Sequence, residues 1–278
     1  MNRRTFLASA LGASAAVVVP AYTKLVEPEW LKFHPVECKL FHQPAGVPIR
    51  LLHLSDFHAS PAVPKRLIEQ AIDMGLAAKP DLICITGDFI TDGDPFEVGW
   101  MERQLRRVSS VAPSFATLGN HDGGPWAHRW GGLPTTEAIA KLVTSSGLSL
   151  LQNKTIEFQG KDRGIQLVGL GDLWAGEFEP TQAFPAPSAI QNIVLSHNPD
   201  TKDLLGDYSW DLMLSGHTHG GQLSLPLIGT PFAPVRDHRY VEGLKPWNNR
   251  QIHVTTGVGS LYGVRFNCRP EVSLLLLH

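Results

Sequence analysis

Cysteine is scarce: Cys38, Cys84 and Cys268 stand far apart, and no CxxC pair occurs. That excludes a zinc ribbon and a dithiol redox motif. Cys84 lies within the apolar run DLICITGD and reads as a small core residue. Cys38 and Cys268 would be free to pair after export. Charge is also sparse, at 18% of residues with a net charge of −2, so no overall basic field recruits nucleic acid or an anionic surface. A GxSxG nucleophile elbow and a GxxxxGK[ST] phosphate loop are both lacking. Internal repeats, coiled-coil heptads and low-complexity blocks are lacking too.

What is present is a 278-residue chain, 43% apolar, long enough for one sizeable core. Its 26 glycines and 21 prolines are scattered and read as turns rather than disorder. The chain opens MNRRTFLASALGASAAVVVP, with Arg3 and Arg4 followed by an uncharged stretch to Pro20. A twin arginine before a moderately apolar segment reads as a bacterial twin-arginine export signal. Thr5 to Val19 is shorter than the ~20 residues that span a bilayer. No clean A-x-A site precedes Tyr22, which leaves an uncleaved membrane anchor open. Residues 1–30 are therefore expected to be signal or tether, and 31–278 a single domain. The leader points to an exported or membrane-associated protein, with the twin-arginine export machinery as a partner.

Beyond the leader, the pattern alternates. VECKLFHQ reads as an edge strand and VPIRLLHLSD as a buried one. PKRLIEQAIDMGLAAK carries helical spacing behind an initial proline. DLICITGD, PFEVGWMERQLRRVSS, PSFATLGNHD and TTEAIAKLVTSSG continue the alternation as strand, helix, strand and helix. The second half turns to strands: LSLLQN, KTIEFQ, IQLVGLGD, NIVLSHNP, WDLMLSGH, QIHVTTGVG and EVSLLLL, with a short helix near Lys202 to Leu205. The fold class predicted is an α/β sandwich of two mixed sheets with helices outside.

The strands end in unusual residues. The first ends in Asp56 and His58, the second in Asp88, and the third in Asn120, His121 and Asp122; later ones end in His197 and in His217 with His219. Thirty-two residues separate Asp56 from Asp88, and again Asp88 from Asn120. A βαβ unit takes ~30 residues, so these groups recur at the carboxyl edge, where open α/β sheets bind ligands. Carboxylates beside a core strand are costly to desolvate unless cations neutralise them. Two Asp, one Asn and four His exceed what one divalent ion takes and suit two. Taken singly, each piece has a plainer reading: a strand-end Asp is often a turn former, and an H-x-H pair can be two faces of a strand. GNHD and GHTHGG are the more specific pieces, and the five in this order form a joint signal.

Asp56-x-His58, Gly87-Asp88, Gly119-Asn120-His121-Asp122, His197 and Gly216-His217-x-His219 resemble the motif set of the calcineurin-like metallophosphoesterases, over roughly Ile49 to Leu223. The GHTHGGQ form with a twin-arginine leader is similar to a bacterial exported branch of phosphodiesterases; one relative of that branch is a UDP-2,3-diacylglucosamine pyrophosphatase. The resemblance implies a four-layer α/β/β/α sandwich. It also implies that Asp56, His58 and His219 hold one metal, that Asn120, His197 and His217 hold a second, and that Asp88 bridges them. The metals would be Mn²⁺, Fe or Zn²⁺, since mixed O/N ligands do not choose. His121 would be the general acid, held by Asp122, while a metal-bridging hydroxide attacks phosphorus in line. After His58, Ala59-Ser60-Pro61 departs from the glycine-rich continuation of many relatives.

On the substrate side, Gly220 and Gly221 leave amides where a phosphate oxygen could dock. The loop HDGGPWAHRWGG (residues 121–132) offers His128 and Arg129, and TPFAPVRDHRYVEG (230–243) offers Arg236, His238 and Arg239. SLPLIGTPF (224–232) is apolar enough to meet a lipid tail, or to pack in the core. The substrate expected is a phosphoester, with a lipid or cell-envelope origin left open. Two alternatives stand beside a phosphodiesterase: a lipid-linked nucleotide pyrophosphatase, against which export weighs, and a metal-binding scaffold, which would not need His121 and Asp122.

Overall fold

Leu, Ile and Val fill both faces of the central strands, which is what a sheet covered on each side requires. In a computed structural model, described over residues 18–40, 47–91, 96–160, 163–184 and 190–278, these strands form two six-stranded mixed sheets. The first contains β1 (Lys32–Cys38), β2 (Ile49–Leu54), β3 (Leu82–Thr86), β4 (Ser114–Thr117), β5 (Ser149–Leu150) and β12 (Glu271–Leu277), in the order β1-β12-β2-β3-β4-β5. The second contains β6 (Lys154–Gln159), β7 (Gly164–Gly169), β8 (Gln191–Leu195), β9 (Leu212–Ser215), β10 (Gly243–Trp247) and β11 (Arg250–Val254), in the order β10-β11-β9-β8-β7-β6. Strands β2 to β5 are mutually parallel, as are β7, β8, β9 and β11.

Helices α1 (Lys65–Ala77), α2 (Val98–Ser109) and α4 (Glu137–Ser145) cover the outer face of the first sheet. Their apolar stripes, such as Leu67, Ile68, Ala71 and Ile72 of α1, meet Leu52, Leu54, Ile83 and Ile85. Between the sheets lie Leu51, Leu82, Cys84 and Phe115 against Leu167, Ile193, Leu195, Leu212 and Leu214. The far face of the second sheet is covered by the short α5 (Pro180–Ala183) and by loops carrying Leu205, Trp210 and Tyr240. The architecture is the expected α/β class with two mixed sheets.

Departures are local. The edge strand starts at Lys32, before Val36, because its backbone pairs in parallel with Glu271–Leu277. The strand expected at LSLLQN shrinks to two residues. Strand β10 was not expected; it pairs with β11 through Asn248-Asn249, with Asn248 at φ 53, as a two-residue hairpin favours. The five-residue α3 (Pro125–Arg129) was likewise not expected. All three thiols are free and buried. Cys38 pairs with Leu277, at the opposite end of β12 from Cys268, and a seven-residue strand of ~3.3 Å per residue keeps a disulfide between them from forming.

The twin-arginine residues lie outside the described part of the chain. Residues 18–25 are helical, and the short turn at Glu27–Glu29 packs on the body. Glu27 is buried, accepts from the Cys268 amide and precedes Trp30, over which the Arg269 guanidinium stacks. No helix among the described residues is long and apolar enough to cross a membrane.

Arg265 is fully buried and ties this region together. It donates to the carbonyls of Thr256 (2.8 Å), Gly257 (3.2 Å), Cys268 (3.0 Å) and Gly259. Arg265→Met would leave these acceptors unpaired in the interior. We expect a loss of about 3 kcal/mol in denaturant unfolding; a change under 1 kcal/mol would show that water satisfies them instead.

Candidate metal centre

Because β2, β3 and β4 run parallel, as do β8 and β9, their carboxyl ends open on one edge, and the two sheets bring those ends together. Asp56 and His58 come after β2, Asp88 after β3, Asn120 to Asp122 after β4, His197 after β8, and His217 and His219 after β9. The turns are backbone-strained: Asp56, His58, Asp88, His217 and His219 all sit at positive φ, between 46° and 68°. Such conformations persist where surrounding structure over-determines them, and they cluster at functional sites. Close approach explains the glycines. A Cβ on Gly119 would lie 2.2 Å from Asp88 Oδ1, and one on Gly216 would lie 2.2 Å from Asp56 Oδ2.

Every one of these side chains is buried. Asp88 Oδ2 is 3.0 Å from His197 Nε2 and 3.5 Å from His58 Nε2. Asp56 Oδ1 is 3.5 Å from His219 Nε2, and His58 Nε2 is 3.0 Å from His219 Nε2. His217 Nδ1 is 3.2 Å from His197 Nε2. Two groups of converging ligand atoms result: Asp56, His58, Asp88 and His219, and Asp88, His197 and His217. Asp88 belongs to both. The Asn120 amide is buried with neither Oδ1 nor Nδ2 hydrogen-bonded, and His217 Nε2 is in the same state. Oxygen and imidazole donors, buried and aimed at one another, fit divalent ions of the Mn²⁺, Fe or Zn²⁺ kind.

Supporting contacts fix the candidate ligands. His197 Nδ1 donates to the Thr86 carbonyl at 2.6 Å, which leaves Nε2 for Asp88. His58 Nδ1 lies 3.1 Å from Thr91 Oγ1. Asp56 accepts from the His217 amide (3.0 Å) and Asp88 Oδ1 from the His121 amide (3.0 Å). The Asp122 carboxylate accepts from the amides of Asp88 (2.9 Å), Phe89 (2.7 Å) and Gly119 (2.8 Å). Asp122 therefore braces the turns after β3 and β4, a role the sequence did not announce. His121 stands beside His58, ring centroids 4.9 Å apart.

Other expected site residues fare differently. The Gly220 and Gly221 amides donate to Thr218 Oγ1 (3.3 Å) and the Thr218 carbonyl (2.7 Å), so the expected phosphate cradle does not form from them. Their α-carbons face Cys268 and Thr230 instead. His128 is exposed on α3, and Arg129 lines a cleft with Trp126 and Trp174. In the 230–243 loop, Arg239 pairs with Asp237, and His238 Nδ1 lies 3.3 Å from Thr230 Oγ1. Sequence reasoning missed Asp172, buried at the end of β7. Its Oδ1 accepts from the amides of Trp174 (2.7 Å) and Ala175 (2.8 Å). The signal was there: GLGD ends its strand as ITGD ends β3.

A family model described as calcineurin-like phosphoesterase matches residues 49–221. The chain belongs to that family, and so to the phosphoester hydrolases. It is 41% identical over 278 residues to the phosphodiesterase YaeI of Escherichia coli strain K12, covering 100% of this chain and 99% of that one. It is 27% identical over 320 residues to the UDP-2,3-diacylglucosamine pyrophosphatase LpxG of Chlamydia muridarum, covering 97% of each. The solved structure of a 5′-nucleotidase precursor from Thermus thermophilus aligns at TM-score 0.44 and 12% identity, over 82% of this chain and 54% of that one.

Burial and mutual charge set the protonation of the metal-free site. Burial pushes His58 down to about 3 and lowers His217 and His219 well below the usual imidazole range. Burial also opposes charge on His197, but the carboxylates of Asp88, Asp56 and Asp172 outweigh it and raise this imidazole well above 6.5. Burial, then the charge of Asp88, pushes Asp122 up to about 7. Above pH ~6.5 the unfolded chain has released both protons, while the folded chain retains them on His197 and Asp122. Stability of the metal-free protein is therefore lost as pH rises through these folded values. We expect its melting temperature to fall as pH rises from ~6.5 through about 7 and above. A metal-free protein equally stable across that window would contradict the His197–Asp88 ion pair.

Proposed function

We propose that the protein is a dinuclear metal-dependent phosphodiesterase. The observation that carries this reading is the position of Asp88 Oδ2 between two converging ligand groups. Asp56, His58 and His219 would hold one ion, Asn120, His197 and His217 the other, and Asp88 both. Such a pair, when bound, supplies positive charge to the phosphoryl oxygens and acidifies a water for attack on phosphorus. The chain's own groups do the rest. The buried ligand set excludes bulk water and keeps the donors aimed without reorganisation. His121, next to His58 and outside the ligand set, donates a proton to the leaving oxygen. The 41% identity to a phosphodiesterase along the whole chain supports a diester substrate.

The test is hydrolysis of bis-p-nitrophenyl phosphate with Mn²⁺ against a chelated control, and then of an unactivated dialkyl diester. Asp88→Ala is expected to lose bound metal and turnover together. His121→Ala is expected to retain both ions and lose ~10²–10⁴ in rate on the unactivated ester. Metal-independent turnover would reject the dinuclear reading, and full activity of His121→Ala would reject the general acid.

We further propose that the enzyme works at a lipid surface after twin-arginine export. Leu227, Ile228 and Phe232 are exposed on the loop that continues from the His217–Gly221 turn. Gln222 Nε2 donates to Leu261 O beside exposed Tyr262, and Arg265 N donates to Thr23 O in the helical segment with exposed Val18, Val19 and Leu25. We propose that these exposed apolar side chains, at the start of the described chain and on the loop leaving the metal centre, form the face that meets the lipid. A relative named for a diacylglucosamine nucleotide is in keeping with a lipid-bearing ester. Leu227→Glu with Ile228→Glu should reduce cosedimentation with phospholipid vesicles at least tenfold; undiminished binding would reject this face.

A further inference from the structure

Beside the metal centre the structure carries tryptophans that neither the ligand set nor the core uses. Trp126 opens α3 with its ring 4.9 Å from that of His121. Trp174, reached from the end of β7, has its ring 4.4 Å from that of His217 at a right angle. The two indoles lie 5.6 Å apart, inclined by 37°, and Trp130 extends the wall 6.4 Å beyond Trp126. Trp174 is 37% exposed and Trp130 66%. With Pro125 and Arg129, Trp126 and Trp174 line a cleft of about 370 Å³.

This wall is held in place. Asp172 anchors the turn that carries Trp174 through the Trp174 and Ala175 amides. A Cβ on Gly124 would lie 3.2 Å from the Ala175 carbonyl, so the loop before α3 seats directly on that turn. Large apolar rings left half in water beside a reactive centre are unfavourable unless something covers them. An indole face is suited to a flat π ring, and one such stack alters affinity by tenfold or more. Arg129 adds a planar cation that pairs with anionic oxygens. One indole touches His121 and the other His217, so a ring seated here lies within reach of a phosphoryl group at the metal centre.

We propose that Trp126, Trp174 and Arg129 form a subsite for a flat aromatic or heteroaromatic ring carried by the phosphoester, as in a nucleotidyl group. The wall gives the ring, and the metal centre gives the phosphoryl position. This rests on the reading of that centre as a phosphoester site.

The test is binding rather than turnover. Quenching of tryptophan emission, excited at the red edge, is measured in Mn²⁺-loaded protein with adenosine 5′-monophosphate, ribose 5-phosphate and inorganic phosphate. The nucleotide is expected to bind about tenfold more tightly than ribose 5-phosphate. Trp174→Leu should remove that advantage, Trp174→Phe should restore most of it, and inorganic phosphate should bind all three proteins alike. Equal affinity for nucleotide and ribose phosphate overturns the subsite, as does a Trp174→Leu protein that keeps the preference. If the ring preference is present and Trp174-dependent but no diester is hydrolysed, the subsite stands and the catalytic reading falls. If diesters are hydrolysed with no ring preference, the catalytic reading stands and the subsite falls.

Discussion

A carboxylate almost wholly shut off from water, Asp88, holds the centre of this molecule together electrostatically. Burial alone would keep it protonated. The imidazoles of His197, His121 and His58 reverse that and hold it well below the usual carboxylate range. Each of those imidazoles comes from a different strand end, so the charge balance requires both sheets to be in register at one edge. A shift of either sheet would strand a buried charge, which costs far more than an apolar mismatch. The fold and the site are therefore one constraint seen at two scales.

The strain in the turns is the other half of that constraint. Five candidate ligand residues in the left-handed region, none a glycine, oppose folding locally. They are tolerated because Asp122 accepts the amides of Asp88, Phe89, Ile90 and Gly119 in the turns after β3 and β4, and because Asp56 accepts the His217 amide. Arg265 and Cys268 do similar work below His219, where Cys268 Sγ donates to its carbonyl at 2.7 Å. Rigidity of this kind keeps donors aimed at a cation without reorganising when one arrives.

Around the centre, the loops differ in chemistry. One side is aromatic and cationic, with Trp126, Trp174 and Arg129. The loop after Gly221 is aliphatic, with Leu227 and Ile228 exposed. The buried pair His53 and His253, Nδ1 atoms 3.0 Å apart, sits between the sheets and connects through Thr86 toward His197. Burial holds both imidazoles low, so this pair is a neutral hydrogen-bonded spacer. The scaffold thus fixes the candidate metal ligands and leaves the rims to differ.

By itself, the sequence determined the alternation of strand and helix, the two-sheet class and the polar residues that close the strands at one edge. Strand hydrophobicity keeps a short period, and a polar residue closing an apolar run stands out without any partner being known. Asp56, Asp88, Asn120, His197, His217 and His219 were all legible for that reason. Tertiary structure decided what depends on neighbours distant in the chain. Asp122 was legible beside His121, but its bracing of the backbone amides of two turns was not. The Gly220 and Gly221 amides looked free and are used by Thr218. Asp172 and Trp174 drew no notice in the sequence, and a Cys38–Cys268 pairing stayed open until the fold set the two apart. Strand β10 and the aromatic wall were hidden too, since short elements carry almost no periodic signal and are fixed by what they pack against.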